Sequence, residues 1–273
     1  MKKRHYFFCI VVMLQSLFNG MYAKDAYGYL IGSSSGLSTG LYKFDTEDKE
    51  KMELISRLYY TPFGGAFANG KYYCYVSDDP QGLMPIGLSI IDFTSGNLSD
   101  AISSRAYGCT DMTYDYSTST MYGVMTSNYG MPTSPTLIKI NLSDGNIEEV
   151  AVLSDKIAAI ACTYGGEMYG IGSQANLYKI NKTDGTLQLI GNTGVSIKNQ
   201  QSLEFDHTDG QLYWSGFDNN ATSFFIKLDK QTAKVESRRT TQGNALLCAL
   251  YIPFKLAEDN APAQVNDLKA ENK

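Results

Sequence analysis

The 273-residue chain is poor in the residues on which much familiar chemistry depends. It has two histidines, five cysteines and seven prolines, and only 19% of its residues are charged. Of the histidines, His5 lies in the N-terminal leader-like segment just before its apolar run, which leaves His207 alone in the body of the chain and excludes a three-histidine metal centre. A Ser-His-Asp arrangement would have to be built on His207, which sits in the turn sequence Asp206 to Gly210 and reads as a solvated turn residue. Glycine-rich phosphate loops, nucleophile elbows and Asp-x-Asp-x-Asp calcium loops are absent, so no cofactor and no metal is expected. The lysines are spread singly rather than in a basic stripe, which argues against nucleic acid as a partner. Cys74, Cys109, Cys162 and Cys248 lie in apolar runs without the spacing of a disulfide scaffold or zinc site, and are expected to be buried thiols.

The one long hydrophobic run is at the start. Lys2, Lys3 and Arg4 precede the apolar stretch Tyr6 to Leu14, and Ala23 offers a small residue for cleavage, the pattern of a secretory signal peptide over residues 1–23. The run is too short for a bilayer span, which takes about 20 apolar residues. Its removal takes three basic and no acidic residues, leaving 20 basic against 28 acidic, a charge of −8. The expected location is outside the cytoplasm: secreted, periplasmic or on the cell surface.

What is abundant is tyrosine (20), phenylalanine (12) and glycine (25), a mixture suited to pleated sheets joined by tight turns. A segment recurs: Leu41 to Asp45, Leu88 to Asp92, Leu137 to Asn141, Leu177 to Asn181 and Phe225 to Asp229, its closing Asp or Asn spaced by 47, 49, 40 and 48 residues. Each is followed by a Gly-, Asp- or Asn-containing turn and a second apolar run. Each is preceded by a strand carrying Tyr29, Tyr73, Tyr122, Tyr169 or Tyr213. Four short strands per unit of 40 to 50 residues predict a propeller blade, and five anchors predict five blades. The first unit lacks an inner strand while Leu246 to Ile252 is one strand in surplus. The predicted fold is therefore an all-β, five-bladed β-propeller over residues 24–254, closed by a C-terminal strand that completes the first blade.

The stretches Met112 to Gly123 and Asn176 to Gly185 resemble repeats of secreted β-propeller proteins of the Bacteroidota type. The resemblance covers Tyr27 to Phe254 and implies architecture; it is nearly silent on activity, because propellers host many functions. In the tail, residues 255–273, the segment Ala261 to Ala270 resembles the linker and first strand that open a fibronectin type III domain.

In a blade of strands A to D, the A–B and C–D hairpins share one end of the ring, and the B–C and D–A connections share the other. The hairpins are short, whereas the B–C loops Ser77 to Ile86, Thr126 to Ser134 and Gly216 to Ser223 are long, which places the expected binding face at the loop end. Candidate ligand-binding residues there are Asp78, Asp79, Asn128, Tyr129, Asp218 and Asn219 from B–C loops, with Tyr59, Tyr60, Phe63, Arg105 and Tyr107 from D–A connections. Aromatic rings mixed with short amides and carboxylates suit a glycan, whose sugars have an apolar face and a hydroxyl rim. The expectation is an exported, non-catalytic binding module for a glycan or a cell-envelope protein. Two alternatives stand beside it. One is a carboxylate-dependent glycoside hydrolase drawing on Asp111, Asp115, Glu204 and Asp206 near the inner strands; the other is a structural spacer. The isolated strand glycines Gly28, Gly32, Gly170 and Gly172 are expected to be close-packing points between blades.

Overall fold

The computed structural model describes residues 24–32, 36–47, 52–58, 60–78, 85–103, 109–125 and 134–254. The expected signal peptide and the fibronectin-like tail lie outside the described residues. Nineteen strands follow in order: β1 Asp25–Gly32, β2 Gly40–Asp45, β3 Met52–Ser56, β4 Thr61–Ala68, β5 Lys71–Ser77, β6 Pro85–Ile91, β7 Cys109–Asp115, β8 Thr120–Met125, β9 Thr136–Ile140 and β10 Ile147–Val152. The remainder are β11 Ile157–Cys162, β12 Met168–Gly172, β13 Asn176–Ile180, β14 Leu187–Asn192, β15 Lys198–Asp206, β16 Gln211–Phe217, β17 Ser223–Leu228, β18 Val235–Arg239 and β19 Leu246–Tyr251. They form five antiparallel sheets, and the inner strands β4, β7, β11, β15 and β19 adjoin one another in a closed ring. The protein is a five-bladed β-propeller. Closure is as expected: β19 pairs with β1 (Tyr29 opposite Cys248, Leu30 opposite Leu247) to complete the first blade as β19-β1-β2-β3.

Blade 2 departs from the four-strand pattern. Its sheet has three strands, and the fourth is reduced to a single bridge between Ile91 and Leu98. The Ser99 hydroxyl accepts the Ile90 N–H at 2.9 Å, taking a bond that a regular ladder would give to a carbonyl.

The recurring Asp or Asn has one physical role throughout. Its side-chain oxygen accepts the N–H two residues ahead: Asp45 from Glu47 (2.7 Å), Asp92 from Thr94 (2.8 Å), Asn141 from Ser143 (2.9 Å), Asn181 from Thr183 (2.9 Å) and Asp229 from Gln231 (2.7 Å). This Asx turn reverses the chain between the third and fourth strands. Three of these turns end in a glycine with positive φ that lies against the outer edge of the preceding blade. A Cβ on Gly96, Gly145 or Gly185 would come within 2.2 to 2.6 Å of Ser56, Ser103 or Ala151. In blade 5 the sizes are exchanged: the turn residue is Ala233 (φ 61), and the residue it meets on blade 4 is Gly191.

Apolar side chains fill all five gaps between blades. Each gap holds a cluster with members from both blades: Leu177 and Ile171 with Trp214 and Phe224, Tyr75 with Met112, Leu30 with Phe225, Val124 with Ile160, and Leu41 with Cys74. All four described cysteines are free and buried, as expected. The strand glycines correct the sequence reading. Gly28 and Gly170 pack against strands of their own sheet, and a Cβ on Gly32 would meet nothing within 4 Å. The glycine that sets a close approach between inner strands is Gly64 on β4, where a Cβ would lie 2.6 Å from the Asp111 Cα on β7. Gly64→Ala is therefore expected to lower the melting temperature by about 5 °C or more through overpacking, whereas Gly32→Ala leaves it within about 2 °C; thermal denaturation followed by circular dichroism checks both.

Candidate functional site

The loop end holds the residues singled out from sequence, and five of the eleven are described. Tyr60 is half-buried and lines a cleft of about 400 Å³ between blades 1 and 2, together with Arg57, Asn97, Ser99 and Asp100. Asp78 is exposed at the end of β5. Phe63 is 7% exposed, so as an inner-strand residue it serves the core and not an open surface. Asp218 is likewise 7% exposed and fully engaged: it accepts N–H groups of Asn220 and Thr222 and the Arg238 guanidinium at 2.7 Å. Those bonds, the Thr222 N–H foremost, hold its carboxyl below its ordinary value and mark it as a turn former. Asn219 is exposed, its N–H given to Ser196. Tyr59, Asp79, Arg105, Tyr107, Asn128 and Tyr129 lie outside the described residues.

The four carboxylates of the hydrolase alternative have separate settings. Asp115 opens the β7–β8 turn, accepting Ser117 N–H at 2.9 Å and pairing with Lys182 of the next blade. Burial alone would raise its pKa, but Lys182, Ser117 and Thr118 more than offset that and hold it below the ordinary value. Asp206 does the same for the β15–β16 turn, with Thr208 N–H at 2.8 Å and Lys24 at 2.5 Å. Asp111 is 1% exposed on the ring axis, where its Oδ2 accepts the N–H groups of Ile160 on β11 (3.0 Å) and Leu203 on β15 (3.3 Å). One carboxylate thus ties three blades at their inner edges, where a sheet leaves backbone groups without ladder partners. The same service is given by Thr113 to Cys162 N–H (2.7 Å), by Ser202 to Leu250 N–H (3.0 Å) and by Tyr72 to the Leu250 carbonyl (3.2 Å).

The Oδ1 of Asp111 has no partner among the described residues, and burial pushes the carboxyl well above its ordinary range. Glu204 keeps partial exposure within the ring yet is enclosed by protein. Burial first, then the charges of Asp111 and Asp206, push it well up too.

At the opposite, hairpin end, aromatic side chains dominate. His207 is not a solvated turn residue, contrary to the sequence reading. Its ring lies 4.7 Å from Phe254 and 5.2 Å from Tyr116, with Tyr164 at 6.0 Å, and burial pushes its pKa down to about 4. Tyr116 donates to the Phe67 carbonyl at 2.8 Å, so the group is anchored across blades. Beside it, between blades 1 and 2, is a second cleft of about 410 Å³ lined by Tyr27, Phe67, Phe93 and Tyr251, with Lys71 and Asp92 at its rim. Sequence reasoning passed over these residues because short hairpins usually carry no site. The available signal was the unusual density of aromatics at the ends of otherwise ordinary strands.

Among the described residues no group of three or more His, Cys, Asp or Glu side chains could hold a metal ion, and no helix is long and apolar enough to cross a membrane.

No known protein family matches the chain, and no curated protein does. Solved structures do. TolB from Acinetobacter baumannii aligns over 89% of this chain and 70% of its own, with a TM-score of 0.53 and 11% identity. A chain of a nidogen/laminin complex aligns over 86% of this chain and all of its own, with a TM-score of 0.53 and 10% identity. A structural genomics protein of unknown function from Bacteroides thetaiotaomicron VPI-5482 aligns over 79% of this chain at 16% identity, with a TM-score of 0.47; this chain spans half of its length. At such identities the likeness to TolB and to the nidogen/laminin chain shows the fold alone.

Two measurements follow. The His207 ring resonances are expected to stay at their neutral positions from pH 7 down to about pH 5 in a proton NMR titration, since burial opposes the charged form. A carboxyl whose folded pKa lies above its unfolded value adds stability that is complete below the unfolded pKa, near 4, and is lost as the pH rises through the folded value. Asp111→Asn, which keeps an acceptor for Ile160 and Leu203, is therefore expected to gain stability relative to the wild type as pH rises from 4 to 8. Asp111→Leu leaves both N–H groups unpaired and costs about 2 kcal/mol or more across the range. Urea denaturation at three pH values separates these outcomes.

Proposed function

We propose that this protein is an exported, non-catalytic binding module that holds a glycan at the loop end of the propeller, in the cleft beside Tyr60. The observation that carries the reading is the composition and size of that cleft. About 400 Å³ is within the range of ligand pockets, and one aromatic face is accompanied by a guanidinium (Arg57), a carboxylate (Asp100), an amide (Asn97) and a hydroxyl (Ser99). A sugar needs donors and acceptors around an apolar patch, and this wall offers both. The position is also physically apt. Blade 2 lacks a regular outer strand, so the gap between blades 1 and 2 is not sealed by a fourth ladder.

The carboxylates speak for binding over hydrolysis. Asp115 and Asp206 are spent on turns and lysine pairs, and Asp111 is closed off from solvent and engaged with backbone N–H groups. A glycosidase needs two carboxyl groups facing an open cleft that admits the scissile bond. A pure spacer would have no reason to keep a concave polar wall. Export follows from the signal-peptide pattern of residues 1–23, and the acidic body of the chain favours a glycan or a cell-envelope protein over nucleic acid.

A glycan-array screen of the chain from Lys24 onward tests the reading. Saturable binding to a glycan class is expected, weakened at least tenfold by Tyr60→Ala and by Arg57→Ala. A blank array from a folded sample contradicts a glycan ligand and turns the search to envelope proteins.

A further inference from the structure

The aromatic cleft at the hairpin end borders the core of the gap between blades 1 and 2, against which Phe67, Phe93 and Tyr251 pack, yet its rings keep contact with water. Core aromatics of this protein are shut off from water: Tyr72 and Tyr29 are each 1% exposed, and Trp214 is 0% exposed. Tyr27, Phe67, Phe93 and Tyr251 instead remain half-buried around an open concavity of about 410 Å³. Their arrangement is ordered. The Tyr251 ring is near-parallel to Phe67 (5.0 Å, 14°) and to Phe93 (5.1 Å, 25°), and Tyr27 is 6.0 Å away at 29°. Tyr72 meets Phe93 edge-on at 4.8 Å from beneath and fixes it. Tyr27 is tilted by 50° to Phe93 at 5.0 Å, so the rings form a packed cluster and not one plane, and, held by their neighbours, they have little rotamer freedom left to lose on binding.

The rim is polar. Lys71 is exposed and makes no ion pair among the described residues, and Asp92 and Thr94 are exposed beside it. From this juxtaposition we infer that the hairpin-end cleft is a second saccharide site, beside the loop-end cleft, that packs the C–H face of a pyranose ring against the half-buried Tyr27 and Phe93 rings and bonds its hydroxyls through Lys71 and the Oδ2 of Asp92, to which the turn gives one hydrogen bond, from the Ser95 hydroxyl. The chemistry selects a sugar over a lipid or an aliphatic peptide segment. The wall is aromatic, its half-buried rings offering electron-rich surface to polarised C–H groups, and its edge adds a donor cation and an acceptor carboxylate. The two clefts lie in one blade gap on either side of a single turn, Asp92 to Thr94 lining this one and Gly96 and Asn97 the other, and a linked glycan pair would gain from the proximity of two sites.

Saturation-transfer NMR and calorimetry on the protein expressed from its full sequence, with methyl β-glucoside, methyl β-galactoside, methyl α-mannoside and methyl N-acetyl-β-glucosaminide as probes, test the inference. At least one pyranoside is expected to bind with a dissociation constant of about 0.1 to 10 mM, the range of a single weakly held ring. Phe93→Leu, which keeps an apolar contact but removes the flat face, is expected to weaken it at least tenfold, and Lys71→Ala by about threefold. Tyr60→Ala, at the loop end, leaves this affinity unchanged, so failure of the loop-end reading and failure of this one are distinguishable. Absence of binding by all four probes at about 20 mM overturns the inference. So does binding that is insensitive to both Phe93→Leu and Lys71→Ala. A third contrary outcome is faster hydrogen exchange across residues 255–273 in Phe93→Leu, which would assign the cleft to the tail of the chain itself.

Discussion

The pairing of β19 with β1 is the constraint on which the rest of this molecule depends. A propeller of separate blades has an open gap somewhere unless the last strand returns to the first sheet, and here the returning strand is also an inner one. Leu250, near its end, has its N–H accepted by Ser202 of blade 5 and its carbonyl bonded by Tyr72 of blade 2. Cys248 adds a thiol bond to the Pro62 carbonyl at 3.1 Å. One strand thus joins the first blade to both neighbours. Its last residue, Tyr251, is the hub of the hairpin-end aromatic cluster, so ring closure and the making of that cleft are one event.

Around the periphery a repeated lock does the corresponding work. Each Asx-capped turn of blades 2 to 5 lays a small residue on the outer edge of the blade before it, and the exchange of sizes at Ala233 and Gly191 shows that what matters is the combined volume. At the axis, where inner edges leave N–H groups without ladder partners, Asp111, Thr113 and Ser202 supply acceptors across blades. The gap between blades 1 and 2 keeps this lock, Gly96 on Ser56, yet holds two clefts that meet at the Asp92 to Asn97 turn.

How much of this was legible beforehand depends on the range of the interaction. The anchors Asp45, Asp92, Asn141, Asn181 and Asp229 act within their own turns, so their spacing revealed five blades, and the surplus strand from Leu246 revealed the closure. Asp115 and Asp206 also act within their own turns, each accepting the N–H two residues ahead. His207 misled because its neighbours Tyr116, Tyr164 and Phe254 come from other blades, and nothing local to a turn announces a distant aromatic. Phe63 misled because a residue beside a loop can still point into the ring. Loop length drew attention to one end, whereas the hairpin-end cleft is assembled from short, regular turns of two blades.

Native-state hydrogen exchange tests the central claim most directly. If β19 closes the ring as described, the amides of β1 and β19 exchange only through global unfolding, with the same opening free energy as those of β11 and β12 in blade 4. An opening free energy for β19 lower than that of β11 by about 2 kcal/mol or more, with the other blades still protected, would show a ring that stands without its closing strand and would contradict the account.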